Sequence, residues 1–423
     1  MLLMRAQLAI KSKTMSWIAP KLRLHSMVSL ILVTSGEANL TANKPKHGQT
    51  SQYASFLEYK GHIESGDIPT YLGQSERERL QELLGYLKIP ESSQLLVFST
   101  TSLQLSKITP AKPRAIYFND DLYLGYVPGG QIEVLEVDQK EGILPYIFSL
   151  PQSSSISHPQ ILQSDRCMRC HDSDKTGFTP GLLLESVVPQ QGGGTLDRLI
   201  TNSVGHQIPY ARRFGGWYLT GINQHPGSWA NSLGRFDGGK LLRVKISPNP
   251  LNLKRYYPHP RSEAIAHAIL SHQIGFTNLC IRLGFLHESD DQKIFEQELE
   301  NLTSYTLFQE EAPLPNPFRR DTSFTSEFED SFINSPSEYN LKKLNLKSRL
   351  LEHRCSYMLK SKIFKTLPSE VRKTFFIRLR KAVLDPLARL KGERVNLESE
   401  ERNRIHHALS FHFPLYREIK KAP

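Results

Sequence analysis

The sequence predicts an α+β protein: an antiparallel β-meander leading into a cysteine-histidine loop, followed by a mainly α-helical C-terminal half. Three observations carry this. Between residues 114 and 150, four strand-like runs are separated by good turn chemistry. From residue 261 onward, apolar residues recur at steps of three and four. Between the two regimes stands the pentapeptide Cys167-Met168-Arg169-Cys170-His171.

Residues 1–38 read as an export signal. Lys21 and Arg23 precede a short apolar run, Met27 to Val33, and Thr34-Ser35-Gly36-Glu37-Ala38 offers small residues for cleavage after Ala38. That run is too short to span a bilayer comfortably, and no other stretch approaches the required length. The expectation is a protein exported to a bacterial periplasm, with no integral membrane segment once the signal is removed.

Residues 39–155 form an N-terminal α+β segment. It is polar and irregular to about Thr70. Ser75 then caps a helix with Glu76 and Glu78 in its first turn and Leu80, Leu83, Leu84 and Leu87 on its apolar face, ended by Pro90. Gln94 to Ser99 is a buried-strand candidate. The meander follows as Arg114–Phe118, Leu122–Val127, Ile132–Val137 and Ile143–Leu150. Its turns are Asn119-Asp120-Asp121, Pro128-Gly129-Gly130 and Lys140-Glu141-Gly142.

Residues 156–260 are organised around Cys167, Cys170 and His171. C-x-x-C-H is the spacing at which haem is attached covalently: each sulfur adds to one vinyl group, and the adjacent histidine ligates iron as the proximal axial ligand. This predicts one covalent haem c. Half of a zinc knuckle is one alternative, but Cys280 and Cys355 stand alone and far away. A redox dithiol is another, but the motif follows a Ser-, Gln- and Pro-rich loop (Pro151 to Ser164) rather than a strand in a βαβ unit. Gly192-Gly193-Gly194 lacks the spacing of a nucleotide loop. In Tyr210 to Tyr218, the basic-aromatic cluster suggests Arg212, Arg213 and Trp217 as donors to haem propionates, with Gly215-Gly216 letting backbone approach a flat group. The bland reading is a Gly-hinged bend with a core tryptophan and surface arginines.

Residues 261–423 read as a helical region packing on the haem region. Ser262 caps a long helix to about His287, with a stripe at Ile265, Ile269, His272, Phe276, Leu279, Leu283 and Leu286. His267 points away and is expected to be solvated. A second helix is expected over Leu341 to Leu367, placing Leu344, Leu351, Cys355 and Met358 on one face. Further helices follow from Ser369 to Leu384 and from Glu398 to His412, and Ala312 to Pro336 is a long wrapping connection. For the sixth position on iron the candidates are His272, favoured among them as a polar ring on an apolar stripe, then Met358, His206 and His225, with an open or unlisted site as the remaining alternative. Each has a packing role as its plainer reading. Cys280 and Cys355 are expected to be small buried residues rather than a bridge.

Net charge is +11, from 53 basic and 42 acidic residues. The segment ahead of Asn39 holds five of those bases and one of those acids, so the excess beyond it is +7. It is densest between Lys342 and Lys365, which reads as solvated helix surface or, as a second choice, a docking face for an acidic redox partner. No base-stacking motif points to nucleic acid.

Tyr117 to Asp121, Cys167 to His171, Gly215 to Tyr218, His272-Gln273 and Cys355-Ser356-Tyr357 resemble a group of exported bacterial single-haem proteins described as cytochrome-c-domain proteins. From about Arg114 to Pro414 the resemblance implies a shared fold and a haem, and it carries no activity. The chain lacks the tandem C-x-x-C-H of di-haem peroxidases. The expected function is therefore periplasmic electron transfer to a redox partner protein, as a mono-haem c-type cytochrome. A peroxidase-like haem oxidoreductase with an open distal site, or a haem-based sensor, is the alternative.

Overall fold

Alternation of apolar residues with period two gives a strand two faces, and here both are buried. The computed structural model describes residues 56–65, 75–150, 159–200, 205–220, 228–247, 253–289, 291–318, 320 and 322–419. Helices α1 (Phe56–Ser65) and α2 (Glu76–Tyr86) precede strand β1 (Leu95–Val97). The meander is β2 (Arg114–Phe118), β3 (Leu122–Tyr126), β4 (Ile132–Asp138) and β5 (Gly142–Phe148). Next come β6 (Leu162–Gln163), the single turn α3 (Met168–His171), β7 (Val187–Pro189), β8 (Thr195–Arg198) and β9 (Trp217–Tyr218). One seven-stranded sheet runs in the order β6-β5-β4-β3-β2-β1-β9, antiparallel throughout. The α+β class is thus present, and two strands from residues 156–260 flank the meander in a single sheet.

The turns hold the register. Asn119 Oδ1 accepts the backbone N–H groups of Asp121 and Leu122 at 2.9 and 2.8 Å, an Asx turn. Gly142 opens β5 at φ +78°, a conformation glycine adopts without steric cost. Tyr117, Leu124, Tyr126 and Val134 then face α1 and α2, meeting Phe56, Tyr59, Leu80 and Leu84 in one core. The alternate residues Val97, Phe118, Tyr123 and Val137 face the opposite way and join a second, larger core. Ser75 caps α2 as expected, with Glu78 completing a capping box.

The second core is built on the later helices. After β10 (Ser232–Asp237), β11 (Lys240–Lys245) and α4 (Leu253–Tyr256) comes α5 (Ala264–His287), the longest helix among the described residues. It is followed by α6 (Gln292–Thr306), α7 (Ser323–Asp330), α8 (Lys362–Thr366) and α9 (Ser369–Leu384). Strands β12 (Arg389–Leu390) and β13 (Glu393–Arg394) lead to α10 (Ser399–His412) and α11 (Pro414–Glu418). Among the described residues, no helix is long and apolar enough to cross a membrane.

Several expectations need correction. Ser262 does not cap α5; its hydroxyl accepts Leu96 N–H at 2.9 Å and donates to Tyr218 C=O at 2.7 Å, stapling β1 to β9. His267 is fully buried, edge-on to Trp217 with ring centroids 4.9 Å apart. The stripe understated α5: Ala266, Ala268, Ser271 and Gly275 are small enough for neighbours to close on its other side. The helix expected over Leu341–Leu367 is irregular to Ser356, because Asn345 Oδ1 accepts Lys347 and Ser348 N–H, both at 3.1 Å, and turns the chain. The connection from Ala312 to Pro336 contains α7, capped by a Thr322–Thr325 box. The N-terminal segment expected to be irregular contains α1. The export signal lies outside the described residues.

Candidate functional site

The motif lies where the chain leaves β6, an edge strand of the sheet. Ser164 N–H donates to Pro145 C=O at 2.9 Å, which ties the entrance of the loop to β5. Cys167 and Cys170 are free thiols, half-buried and exposed respectively. Burial pushes the Cys167 thiol up, against the lowered pKa on which a redox dithiol depends. Among the described residues, no three His, Cys, Asp or Glu side chains converge as ligands for a bare metal ion.

His171 is held at both of its polar ends by one residue. Its Nδ1–H donates to Gly181 C=O at 2.8 Å, and Gly181 N–H donates back to His171 C=O at 2.8 Å. Asn278 on α5 fixes the next residue, accepting Leu182 N–H at 2.8 Å and donating to Leu182 C=O at 2.9 Å. A backbone carbonyl on Nδ1 selects the tautomer with its lone pair on Nε2, the hydrogen bond that also orients histidines in metal sites. Burial pushes the ring below its ordinary pKa, keeping it neutral, as ligation requires.

Cys170 and His171 border a cavity of about 110 Å³ that opens to solvent. Its apolar walls come from Val97, Ile116 and Leu135 of the sheet, Leu182 of the strap after the motif, and Leu270 and Ile274 of α5. Trp217 completes the wall. Its Nε1–H donates to Glu185 C=O at 2.9 Å, so it contributes a surface and its donor is already used.

Two cation–carboxylate pairs interrupt this apolar lining. Arg114 Nη2 pairs with Glu133 across Gly125, which lies between them on β3 and whose missing Cβ leaves room for the guanidinium. Arg114 Nε is buried with no acceptor. Lys175 Nζ meets Glu185 Oε1 at 2.6 Å, and Arg198 pairs with the same oxygen. Burial works against ionisation of Glu133, but the Arg114 charge and hydrogen bonds from Ser102 and Gln104 hold its carboxyl low. The balance is the same at Glu185, where Lys175 and Arg198 outweigh burial.

The remaining predicted site residues lie away from the cavity lining. Arg213 is fully buried and spends Nε on Ile208 C=O at 2.8 Å and Nη2 on His206 C=O at 2.9 Å, so it locks a loop. Arg212 is exposed on the surface. Gly215-Gly216 approach backbone: Gly216 C=O accepts Phe98 N–H at 2.8 Å, and Gly215 C=O accepts Val187 N–H at 3.0 Å. His272 is fully buried with both ring nitrogens engaged, Nδ1 to His206 Nδ1 and Nε2 to Ser356 Oγ, each at 2.8 Å. The His206 and His272 rings stack with Tyr305 and Phe308, and burial pushes His272 down to about 3. Met358 is buried in the same core. His225 lies outside the described residues.

The structure therefore brings Cys170, His171 and Trp217 to one cavity, and it places Arg213, His206, His272 and Met358 in the packed interior. Sequence reasoning missed Arg114, Gly125, Glu133, Lys175 and Glu185. One signal was available: Glu133 shares the parity of Leu135 and Val137, so a carboxylate had to point to a buried face. Comparison with known proteins finds no matching family model, no matching curated protein and no matching solved structure.

Proposed function

We propose that this chain is an exported, periplasmic mono-haem c-type cytochrome that carries electrons. The observation behind the proposal is the pairing of C-x-x-C-H with an apolar cavity into which His171 brings a neutral ring whose Nδ1 is already tied to Gly181. The chemistry of the donor set suits the group: Cys170, His171, Arg114 and Lys175 border the cavity, and Cys167 stands three residues before Cys170. The thiols of Cys167 and Cys170 would hold it through thioethers, each S–H adding across a vinyl C=C bond, and His171 Nε2 would offer its lone pair to the iron. Arg114 Nε, an orphaned donor at the wall, would be free to donate to a propionate, and Lys175 would provide a second cation. Bound there, haem supplies one-electron chemistry, while Val97, Ile116, Leu135, Leu270 and Ile274 exclude water from its edge. This gives the propionate role to Arg114 in place of Arg212 and Arg213.

One observation favours a second reading, an oxidoreductase or sensor with an open distal side. Among the described residues bordering the cavity, His171 is the only His or Met. Haem staining of denatured parent protein and of a Cys167→Ala/Cys170→Ala double variant tests the main claim. Stain is expected in the parent alone, and stain retained in the double variant would sink it. Spectra of the matured protein with and without carbon monoxide separate the two roles. A low-spin spectrum indifferent to carbon monoxide supports electron transfer, and a carbon monoxide shift supports the open site.

A further inference from the structure

The hairpin β10–β11 is rooted in the cavity wall. Asn231, at φ +52°, donates its N–H to Trp217 C=O at 3.1 Å, and its side-chain amide exchanges two hydrogen bonds with Leu219, at 2.8 and 2.9 Å. Beyond Gly234, every residue from Arg235 to Lys245 is exposed. Phe236 is 60 %, Val244 41 %, Leu242 38 % and Leu241 36 % exposed, an unusual concentration of apolar surface on one small element. The register pairs Phe236 with Leu241 on one face and Arg235 with Leu242 on the other. Four cations, Arg235, Lys240, Arg243 and Lys245, stand among them against one acid, Asp237.

The basic run of the last third does not offer a comparable surface. Lys342 is buried and bonded to Asp120 at 2.8 Å, Arg349 and Arg354 converge on Glu401, and Lys362 pairs with Glu136 at 2.9 Å. Those charges hold the fold together.

We infer that the β10–β11 hairpin is the docking surface for an acidic protein partner, which it seats beside the wall formed by Trp217. This deepens the electron-transfer reading and rests on it for its purpose, although docking itself can be measured without haem. Apolar side chains interspersed with cations match a transient interface, in which apolar contacts hold the partner and charges set the encounter rate. A second copy is a poorer occupant. Antiparallel pairing of β11 with itself would put Lys240 opposite Lys245, and like charges directly opposite destabilise a ladder. Lipid is poorer too, because the tip is Asp237-Gly238-Gly239-Lys240 and each face mixes cations with apolar residues, whereas a membrane-seeking element segregates them.

The test uses the full chain as purified, with haem stain recorded on the same preparation. An acidic flavoprotein, flavodoxin, serves as the probe in surface plasmon resonance. Binding is expected to weaken steeply between about 50 and 200 mM salt. Arg235→Glu/Lys240→Glu should lower affinity about tenfold or more at the low-salt end. Phe236→Ser should weaken binding about threefold and leave the salt slope unchanged. Lys343→Glu/Lys347→Glu, in the other basic run, should bind like the parent, and all variants should keep the parent's circular dichroism. The proposal is overturned if flavodoxin does not bind, if either hairpin variant binds like the parent, or if the Lys343/Lys347 control loses as much. It is also overturned if the hairpin variants lose only binding to phosphatidylglycerol vesicles, which would make lipid the occupant. Absence of haem stain would remove the cytochrome reading and leave the docking result standing.

Discussion

The cavity beside His171 and the aromatic cluster around His272 meet on one turn of α5, yet they treat an imidazole in opposite ways. Leu270 and Ile274 face the cavity, and His272, between them in sequence, belongs to the interior. At His171, which borders the cavity, Nδ1 is tied to a backbone carbonyl, which leaves the lone pair on Nε2. At His272 both nitrogens are engaged, and the ring is packed against His206 and Phe308. Burial alone therefore does not identify a ligand histidine. What separates the two sites is whether a hydrogen-bonding atom remains unspent next to open volume.

His272→Ala should break this contrast most visibly. It opens a void and strands buried polar atoms of His206 and Ser356, for a loss of about 3–5 kcal/mol in chemical denaturation. Its haem spectrum should match the parent's. His171→Ala should do the reverse, with the low-spin spectrum lost and only a small change in stability. An altered spectrum in His272→Ala would restore that residue as a ligand.

Gly125→Ala comes next. A methyl group there meets the Arg114 guanidinium, so the cation must leave its place over β3, at about 1–3 kcal/mol. If Arg114 holds a propionate, the same variant should shift the reduction potential in protein-film voltammetry; an unchanged potential would remove Arg114 from the site. Ser356→Ala takes away one partner of His272 and should cost about 1 kcal/mol, with the haem spectrum again unaffected.

The smallest effect is in pH dependence. His272 titrates near 3 in the folded chain against an ordinary 6.5. Between those values the unfolded state binds a proton that the folded state does not, so this contribution is complete above about 6.5 and is lost as pH falls toward 3. Asp121, raised by burial to about 6, and Glu311, raised to about 7, act oppositely: their contributions hold at low pH and fade as pH rises through those values. The stability of the parent alone therefore mixes the signs. The difference between the parent and His272→Gln isolates the histidine, and it should shrink as pH drops below about 6.5 in denaturation series. A constant difference would mean that the ring is not held neutral.

Legibility in the sequence followed the locality of the signals. The meander could be read because alternation and turn residues such as Asn119 and Gly142 act within a few positions of the strands they shape. The bounds of α5 could be read too, but its all-round burial depends on distant elements, such as the turn holding Asp120, which accepts from Gln273 across 153 positions of the chain. Leu344, Leu351, Cys355 and Met358 imitated a helical face, while the local signals at Asn340 and Asn345, both of which cap turns through their side chains, were passed over. In the site, the motif declared itself through spacing. Arg114 and Glu133 did not, because their meeting depends on which face of the sheet the later helices cover. Arg213 looked like a surface donor since nothing local reveals that Gly205 to Ile208 would wrap its guanidinium.

The Asn278 clamp and the placement of Leu270 and Ile274 have a consequence for hydrogen exchange. Since α5 supplies the far wall of the cavity and also carries His272, opening either region requires the amides of that helix to lose their partners together. Amides from Ile269 to Asn278 should therefore exchange as one cooperative unit. Occupying the cavity should slow their exchange along with that of the Tyr305–Phe308 segment, which contacts His272 and never borders the cavity.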